Sequence, residues 1–331
     1  LVIHRISVHR FVGEKRISIP RASPVFPMAK KPVRCYVIDA FADSAFKGNP
    51  AAVCLLEEER ESEWLQAVAR EFNLSETCYL TRISDPNIGN PDSPDQTQNP
   101  SFHLRWFTPA SEVNLCGHAT LAAAHALFSS SLASFDKIEF STLSGVLIAK
   151  RVPKINNPNA ENCLKDEPQG HFLIELDFPS CRIVECNPEE VSSICKSLSG
   201  ASMVDMKKAA ILDDLLVELP SEKDVVEFQP QFEEIRRCPG SGLIITAASN
   251  LGFDFYSRYF CPKHGINEDP VTGGAHCALA MYWSKKLGKN DLVAYQASPR
   301  GGIVHLHVDD EGKRVFLQGK AVTVMEGSVL V

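Results

Sequence analysis

The sequence predicts an α+β protein built from two similar lobes, and three observations support that prediction. The segment Leu115–Thr120 is echoed by Glu268–His276 about 155 residues later, and an Ala-rich apolar run follows each copy. Strand-like runs outnumber helical ones in both halves. Each half also has one long helix, mostly Ala, Leu and Met, which is apolar on nearly all sides and should be buried. A curved, mostly antiparallel sheet wrapped around each helix would bury it.

The elements of the first half follow from their local patterns. Ser62–Phe72 is predicted to be a helix because its apolar residues recur with helical spacing, and Ser62 is expected to cap it. The Ala-rich helix begins at about Ala119. Apolar runs predict strands at Arg34–Phe41, Ala51–Leu56, Thr77–Thr81 and Phe102–Phe107, with a hairpin of Ile138–Ser141 and Val146–Arg151.

The second half repeats the theme. Helices are predicted at Pro188–Leu198 and, directly after the second glycine motif, at Ala275–Lys286. The predicted strands are Phe172–Phe178, Ala209–Leu212, Leu215–Leu219, Gly242–Ala248, Phe253–Phe260, Ile303–Val308, Val315–Gln318 and Ala321–Val324.

Three stretches lack this periodicity. Asp85–Asn99 and Pro153–Pro168 are rich in polar residues and Pro, which predicts surface loops, the second near the domain junction. Residues 1–27 carry five Arg or Lys and one acid, so we expect a disordered leader, either transit-like or non-native sequence before Met28. The predicted lobes are residues 28–147 plus about 320–331, and residues 148–319.

Bulk composition excludes several classes of function. The chain has 331 residues, 44% of them hydrophobic, and a net charge of -7, so nothing draws it toward nucleic acid. No run approaches the roughly 18 apolar residues of a membrane span. Neither a nucleic-acid partner nor a membrane partner is expected.

Eleven cysteines are present, but no CxxC pair occurs. We therefore expect reduced thiols in a reducing compartment, the cytoplasm, or an organelle if residues 1–27 are a transit segment. His305 and His307 share a strand face, and Cys261–His264 offers two donors, yet neither forms a full metal site. No nucleotide-binding fingerprint occurs either, so neither a metal nor a cofactor is predicted.

The paired glycine motifs are candidates for substrate binding. Gly117 and Gly273-Gly274 let the backbone approach a ligand, and free N–H groups at a helix N-terminus favour an anion such as a carboxylate. The simpler alternative is that they only allow tight turns before buried helices. Two matched copies favour the first interpretation. The predicted substrate-binding set is Gly117, Ala119, Gly273, Gly274 and Ala275.

Three titratable residues are catalytic candidates. Two of them lie in the glycine motifs and the third lies at the start of a predicted strand. Asp269, held extended by Pro270, is placed to hold a substrate amine or alcohol or to orient a base, unless it only caps a turn. His118 is a candidate proton shuttle, although a lone His is more often structural. Glu76 lies between a helix and a strand, where partial desolvation would suit an acid/base. Local sequence alone favours a solvated glutamate in a turn.

With these residues assembled, the chain resembles PhzF-type phenazine-biosynthesis-like proteins of the diaminopimelate-epimerase superfamily. The resemblance runs from about Arg34 to Val331 and rests on short motifs in a fixed order. They are Asp39–Phe41, Phe46–Val53, Asn73–Thr77, Arg105–Pro109 with Glu112-Val113, Cys116–Thr120 and Glu268–Ala275.

The resemblance implies two pseudo-symmetric lobes with the active site between them, no cofactor or metal, and a homodimer. It implies that Glu76 moves a proton on the substrate, which replaces the solvated-turn interpretation, with His118 and Asp269 as helpers. Gly273-Gly274 would hold the substrate carboxylate. The family's reference reaction isomerises trans-2,3-dihydro-3-hydroxyanthranilic acid.

Related epimerases and racemases use two opposed cysteines, one from each lobe. Here Cys116 stands in the first motif, whereas the second offers Asp269–Val271 at the expected place, and Cys277 should point elsewhere. One-carboxylate proton transfer is therefore the main hypothesis. The alternatives are a cysteine-dependent epimerase or racemase, and a non-catalytic relative that binds a metabolite or a protein.

Overall fold

A computed structural model describes residues 31–83, 99–130, 135–152, 172–198 and 200–330. The predicted loops Asp85–Asn99 and Pro153–Pro168 fall largely or wholly outside these ranges, as does the leader. Six α-helices occur in the described ranges: α1 Ser62–Phe72, α2 Gly117–Phe128, α3 Pro188–Ser197, α4 Glu222–Glu227, α5 Phe232–Arg237 and α6 Gly273–Leu287. None of them is long and apolar enough to cross a membrane.

Eighteen strands make up most of the remaining described residues. In the first half they are β1 Val33–Ala40, β2 Asn49–Leu56, β3 Glu76–Arg82, β4 Ser101–Phe107, β5 Glu112–Val113, β6 Lys137–Thr142 and β7 Gly145–Val152. In the second half they are β8 Leu173–Pro179, β9 Ile183–Glu185, β10 Asp205–Ala209, β11 Asp214–Glu218, β12 Leu243–Ala248, β13 Phe255–Cys261, β14 Ile266–Asp269, β15 Asp291–Gln296, β16 Gly302–Asp309, β17 Arg314–Gly319 and β18 Ala321–Val329.

The strand pairings repeat one pattern twice. One sheet runs β18-β1-β2-β3-β4-β6-β7-β8, with β5 beside β4, and is parallel only at β2–β3 and β4–β6. The other runs β9-β10-β11-β12-β13-β15-β16-β17, with β14 beside β13, and is parallel only at β11–β12 and β13–β15. Helices link the parallel strands in both, because a parallel pair needs a crossover. The duplicated α+β architecture is confirmed.

The two sheets are joined and also exchange strands. Antiparallel pairing of β8 with β17 connects them. Strand β9, directly after β8, pairs with β10 of the second sheet. Strand β18, directly after β17, returns to pair with β1 of the first. The chain therefore crosses between the halves at both places, which fixes one half against the other.

Each sheet wraps around one central helix. Every residue of α2 from His118 to Phe128 is buried, and α2 packs on β1, β2 and β3. Small Ala side chains let the helix approach the strands closely. Helix α6 packs on β15, β16 and β17 and is anchored by Trp283, which stacks on Phe255 and donates from Nε1 to Thr246 Oγ1 at 3.0 Å. Burying a side chain of this size stabilises by at least about 2 kcal/mol.

Several details of the prediction need correction. The span of α1 is right, but its N-cap is Glu61, and Ser62 is its first helical residue. Both central helices begin two residues earlier than predicted, at Gly117 and Gly273, so the glycines belong to the first turn. Helices α4 and α5 and strands β5, β9, β14 and β15 were not predicted, since they are short or gave no strong local signal. The predicted strand Ala209–Leu212 is wrong, because β10 spans Asp205–Ala209 and residues 210–212 form a turn.

Candidate active site

The N-termini of α2 and α6 meet at the centre of the molecule. A Cβ added to Gly117 would lie 3.3 Å from Gly273 Cα, and one added to Gly273 would lie 3.3 Å from Gly117 Cα. This separation is tighter than ordinary packing, so the approach depends on glycine in both helices. The N-caps, Cys116 and Thr272, are both extended and therefore occupy equivalent positions.

The facing helix ends offer backbone N–H groups to the space between the halves. The first intrahelical donors are Thr120 N, 3.1 Å from Cys116 O, and His276 N, 3.1 Å from Thr272 O. The three preceding N–H groups in each helix have no acceptor within their own helix. The positive ends of both helix dipoles therefore face the same space. These groups belong to Gly117, His118 and Ala119 in α2, and to Gly273, Gly274 and Ala275 in α6.

Glu76 is the first residue of β3 and lies against the start of α2. Its Oε2 is 3.1 Å from His118 Nε2, and the two side chains are only 12% and 5% exposed. Neither atom has a hydrogen-bond partner of good geometry among the described residues. The local interpretation of a solvated glutamate in a turn is therefore wrong, because burial and the histidine both define a specific site.

The other ring nitrogen of His118 faces Asn49 and Cys116. Asn49 Nδ2 lies 3.2 Å and Cys116 Sγ 3.5 Å from His118 Nδ1. The two protons of Asn49 Nδ2 are directed at Asp269 Oδ1 and Val271 O, both at 2.9 Å, so its contact with the His118 ring is the weaker one. Burial alone lowers the pKa of His118, but the Glu76 and Asp269 carboxylates outweigh it and raise that pKa overall.

Asp269 closes the network from the other half. It ends β14, is buried, accepts from Asn49 Nδ2 at 2.9 Å on Oδ1, and accepts from Thr272 Oγ1 at 2.5 Å on Oδ2. Burial, with help from Glu76, raises its pKa to about 6, although His118, Thr272 and Asn49 act in the opposite direction. Both carboxylate oxygens are thus engaged inside the protein, which suits orientation better than direct capture of a substrate.

Sequence reasoning assigned no role to two residues that hold this network, Asn49 and Gln296. Asn49 is fully buried and also donates to Val271 O at 2.9 Å. Gln296 donates to Asp269 O at 2.7 Å and accepts from Thr272 N at 2.9 Å. The pair Asn49-Pro50 lies inside a motif that carried the resemblance, so a signal existed for it. Gln296 comes from the unpredicted strand β15 and gave none.

These groups line a cleft of about 520 Å³ between the halves. Glu76, His118 and Asp269 all border it, with Gly117, Gly273 and Gly274. Ala119 and Ala275 do not border it, because their side chains point into the helix packing. Tyr259 forms part of the opposite wall and donates to Asp214 Oδ1 at 3.1 Å. Burial raises the pKa of Asp214 to about 7.

The metal-ligand candidates of the sequence separate in space. His307 Nδ1 lies 2.7 Å from Asp291 Oδ1 on an exposed surface, whereas Cys261 and His264 border the cleft. In the described part of the chain, one other set of donors does converge. Single donor atoms of Glu76, Cys116 and His118 all lie within 4.8 Å of one another.

The position opposite Cys116 is also corrected by the structure. It is Thr272, the N-cap of α6, rather than Asp269–Val271. Cys277 lies one turn further along α6, buried near Cys181 and outside the residues that line the cleft. The two halves therefore place a thiol and a hydroxyl, and not two thiols, at equivalent positions.

Comparison with known proteins agrees with this fold. A family model described as phenazine biosynthesis-like protein, PhzC-PhzF, matches residues 38–327. An uncharacterised isomerase of Halalkalibacterium halodurans is 41% identical over 300 residues, covering 89% of this chain and 98% of that protein. The phenazine biosynthesis-like domain-containing protein 1 of Mus musculus is 39% identical over 309 residues, with coverages of 89% and 98%.

Comparison with a crystal structure indicates the same family. A PhzF-family phenazine biosynthesis protein from Enterococcus faecalis matches with a TM-score of 0.72 and 34% identity, covering 91% of this chain and 100% of that one. Two curved sheets, each around a central helix, with a cleft where the helix N-termini meet, define the diaminopimelate-epimerase-like class of folds. Within that class, the chain belongs to the phenazine biosynthesis-like protein family.

Proposed function

We propose that the chain is a cofactor-independent isomerase that moves a proton on a small carboxylate-bearing substrate, with Glu76 carrying the proton. The main support is the pair of buried atoms Glu76 Oε2 and His118 Nε2. They lie 3.1 Å apart at the cleft, and neither completes a hydrogen bond within the described residues. Buried polar atoms are seldom left unpaired, so such a pair is suited to meeting a substrate. The Halalkalibacterium halodurans relative bears the name of an isomerase.

The substrate carboxylate would bind where the two helices meet. The free N–H groups at Gly117 and at Gly273-Gly274 converge there, and a carboxylate can accept several of them at once. The adjacent carboxylates of Glu76 and Asp269 would repel a second substrate anion on that side of the cleft. A bound substrate therefore presents its carboxylate to the helix ends and its reacting carbon to Glu76.

The proton transfer follows from the charges around that carbon. Glu76 would take a proton from one carbon and return it to another, because its carboxylate borders the cleft and lies beside the His118 ring. Negative charge that develops on the substrate would be stabilised by His118, whose raised pKa favours a charged ring. Asp269 acts through Asn49, which donates to the Asp269 carboxylate and contacts the His118 ring, and so limits the movement of that ring.

Replacement of Glu76 tests the proposal. The assay is deuterium incorporation from D₂O into trans-2,3-dihydro-3-hydroxyanthranilic acid and a panel of small amino and hydroxy acids. Loss of a positioned acid/base costs about 10²–10⁴-fold in rate, so Glu76→Gln should abolish measurable exchange while substrate binding persists. The matched control is Glu63→Gln on the exposed face of α1, which should exchange like wild type. Exchange at the wild-type rate in Glu76→Gln would refute the assigned role.

Cysteine-dependent epimerisation is the second candidate, because Cys116 Sγ reaches the cleft 3.5 Å from His118 Nδ1. Its weakness is Thr272 on the opposite side, since a threonine hydroxyl does not act as the second acid/base at neutral pH. The same assay separates the two candidates. Exchange that depends on Cys116 and not on Glu76 would favour the epimerase.

A further inference from the structure

Two cysteines of the first half lie directly opposite each other on neighbouring strands. Cys35 of β1 and Cys54 of β2 are partners in the antiparallel register, and both thiols are free. Directly opposed residues of an antiparallel pair point to the same face of the sheet, with Cα atoms about 4.5–5.5 Å apart. Disulfides join residues whose Cα atoms are roughly 4.4–6.8 Å apart. The register therefore places these two thiols within reach of a covalent bond.

Helix α1 covers both thiols. Cys35 and Cys54 belong to one apolar cluster with Leu65 and Val68 of α1 and Tyr79 of β3. Burial raises the pKa of both thiols, and the neighbouring Cys35 adds to the shift at Cys54. The packing of α1 thus holds the two sulfur atoms on one face, close enough for each to affect the other. In the described strands, no other two cysteines are partners in register.

The two thiols differ in their access to solvent. Cys54 is fully buried, whereas Cys35 is 8% exposed and borders a groove of about 1360 Å³. The groove runs between α1 and the edge strand β18, past Trp64, Phe72 and Met325. Neither cysteine borders the cleft between the two halves. A small oxidant therefore reaches Cys35 from the groove, and Cys54 reacts only through Cys35.

We propose that Cys35 and Cys54 form a reversible disulfide when the protein meets hydrogen peroxide. The Cys35 sulfur attacks one peroxide oxygen, the O–O bond breaks, and the products are a sulfenic acid at Cys35 and one water. The Cys54 sulfur then attacks the Cys35 sulfur, the S–O bond breaks, and the S–H proton leaves with the oxygen as a second water. Two electrons have passed from the two thiols to the peroxide.

Position, and not an unusually acidic thiol, selects this pair. Because the thiolate is the nucleophile, the raised pKa of Cys35 makes its first step slow, so the bond is a response to sustained peroxide. A sulfenic acid formed there has a thiol directly opposite, whereas half-buried Cys186 lies outside the described strands and has no register partner. The bond also closes the loop that contains Asn49, and so ties together the two strands that place Asn49 beside the cleft.

Peptide mapping of the full chain tests the pairing. Trypsin cuts after Arg34, Lys47 and Arg60, so Cys35 and Cys54 are each the single cysteine of a separate peptide, residues 35–47 and 48–60. After treatment with hydrogen peroxide and alkylation of the remaining thiols, the two peptides should appear joined, two hydrogen atoms lighter than their sum. A phosphine reductant should separate them. Oxidation of Cys186 with no joined peptide overturns the proposal.

The same treatment in urea shows whether the fold selects the pair. In the unfolded chain the bonds should spread over the eleven cysteines, so the joined peptide should lose its predominance. A joined peptide that predominates equally in urea and in the native protein overturns the role of the strand register.

Single variants test the order of attack. Cys54→Ala should leave a sulfenic acid at Cys35 that dimedone labels, whereas Cys35→Ala should give no label on Cys54. Cys186→Ala is the matched control and should form the joined peptide like wild type. Circular dichroism checks that each variant is folded, and label on Cys54 in folded Cys35→Ala overturns the assigned order. Because none of these measurements involves turnover, they stay interpretable if the isomerase proposal fails.

Discussion

The N-termini of α2 and α6 are built alike but carry different chemistry. Each begins with glycine after an extended N-cap, and in each a side chain one turn later contacts the N-cap carbonyl. Thr120 Oγ1 donates to Cys116 O at 2.6 Å, and His276 Nδ1 lies 2.7 Å from Thr272 O. The copies differ at the second helical residue, which is His118 in α2 and Gly274 in α6.

The comparison shows that the duplication repeats the backbone of the site but not its titratable side chains. The backbone ends of two helices are symmetric and together suit one carboxylate. The titratable side chains are not symmetric, since Glu76, Cys116 and His118 all come from the first half. From the second half, Asp269 joins their network with both oxygens internally bonded, whereas Cys261, Lys263 and His264 border the same cleft. Because the titratable groups lie mainly on one side of a symmetric anion site, proton transfer by a single carboxylate is favoured over a mechanism with two opposed acid/base groups.

Asn49 and Asp214 sharpen the comparison, because they occupy equivalent positions. Each begins a strand after a turn and pairs with the last residue of the preceding strand, Ala40 or Ala209. Both side chains are buried. Asn49 serves the catalytic candidates as a donor, whereas Asp214 serves Tyr259 as an acceptor.

Replacing each of these residues by the other, as Asn49→Asp and Asp214→Asn, should give the largest difference in unfolding free energy. In Asn49→Asp, Asp269 Oδ1 and Val271 O lose their donor and a third carboxylate enters the site. Each orphaned acceptor costs about 1–3 kcal/mol, so denaturant unfolding should show a loss of about 2–6 kcal/mol. Asp214→Asn can still accept from Tyr259 and should change stability by less than about 1 kcal/mol. Similar losses in both variants would show that the halves do not divide their roles in this way.

The raised pKa of Asp269 predicts a pH-dependent loss of unfolding free energy that is somewhat smaller than the loss expected for Asn49→Asp. Its pKa rises from 3.8 to about 6 on folding, so the native state holds the proton more tightly than the unfolded chain does. The contribution of Asp269 to stability should therefore fall as pH rises from about 4 to about 6, by about 3 kcal/mol at 1.36 kcal/mol per pH unit. Asp269→Asn lacks this contribution. The difference in unfolding free energy between variant and wild type should shift in favour of the variant over that range, and a constant difference would contradict the prediction.

The sequence predicted the repeated fold because buried helices and alternating strands leave periodic signals. It also singled out Glu76, His118 and Asp269, but the resemblance and not the local pattern raised Glu76 above a surface glutamate. The burial of Glu76 depends on α2, which packs against β3 from a distant part of the sequence. Gln296 was missed for the same reason, since it reaches Asp269 from a strand with a weak local signal. To recognise that Cys116 and Thr272 are equivalent, the first residue of each helix must be known exactly. Both helix starts were predicted two residues too late.

Filling the space between the helix ends gives the smallest expected effect and tests the symmetric part of the comparison directly. In Gly273→Ala the new methyl group would lie 3.3 Å from Gly117 Cα, so the two helix ends must separate. Overpacking of this kind costs about 1–3 kcal/mol, measurable by thermal or denaturant unfolding. Gly274→Ala is the matched control, because its methyl group would meet only Leu212 Cδ2 at an ordinary 3.5 Å. If the two alanines behave alike, the close approach of the helix ends does not hold the halves together. A loss confined to Gly273→Ala would show that the close approach of the two helix ends contributes to the stability of the fold.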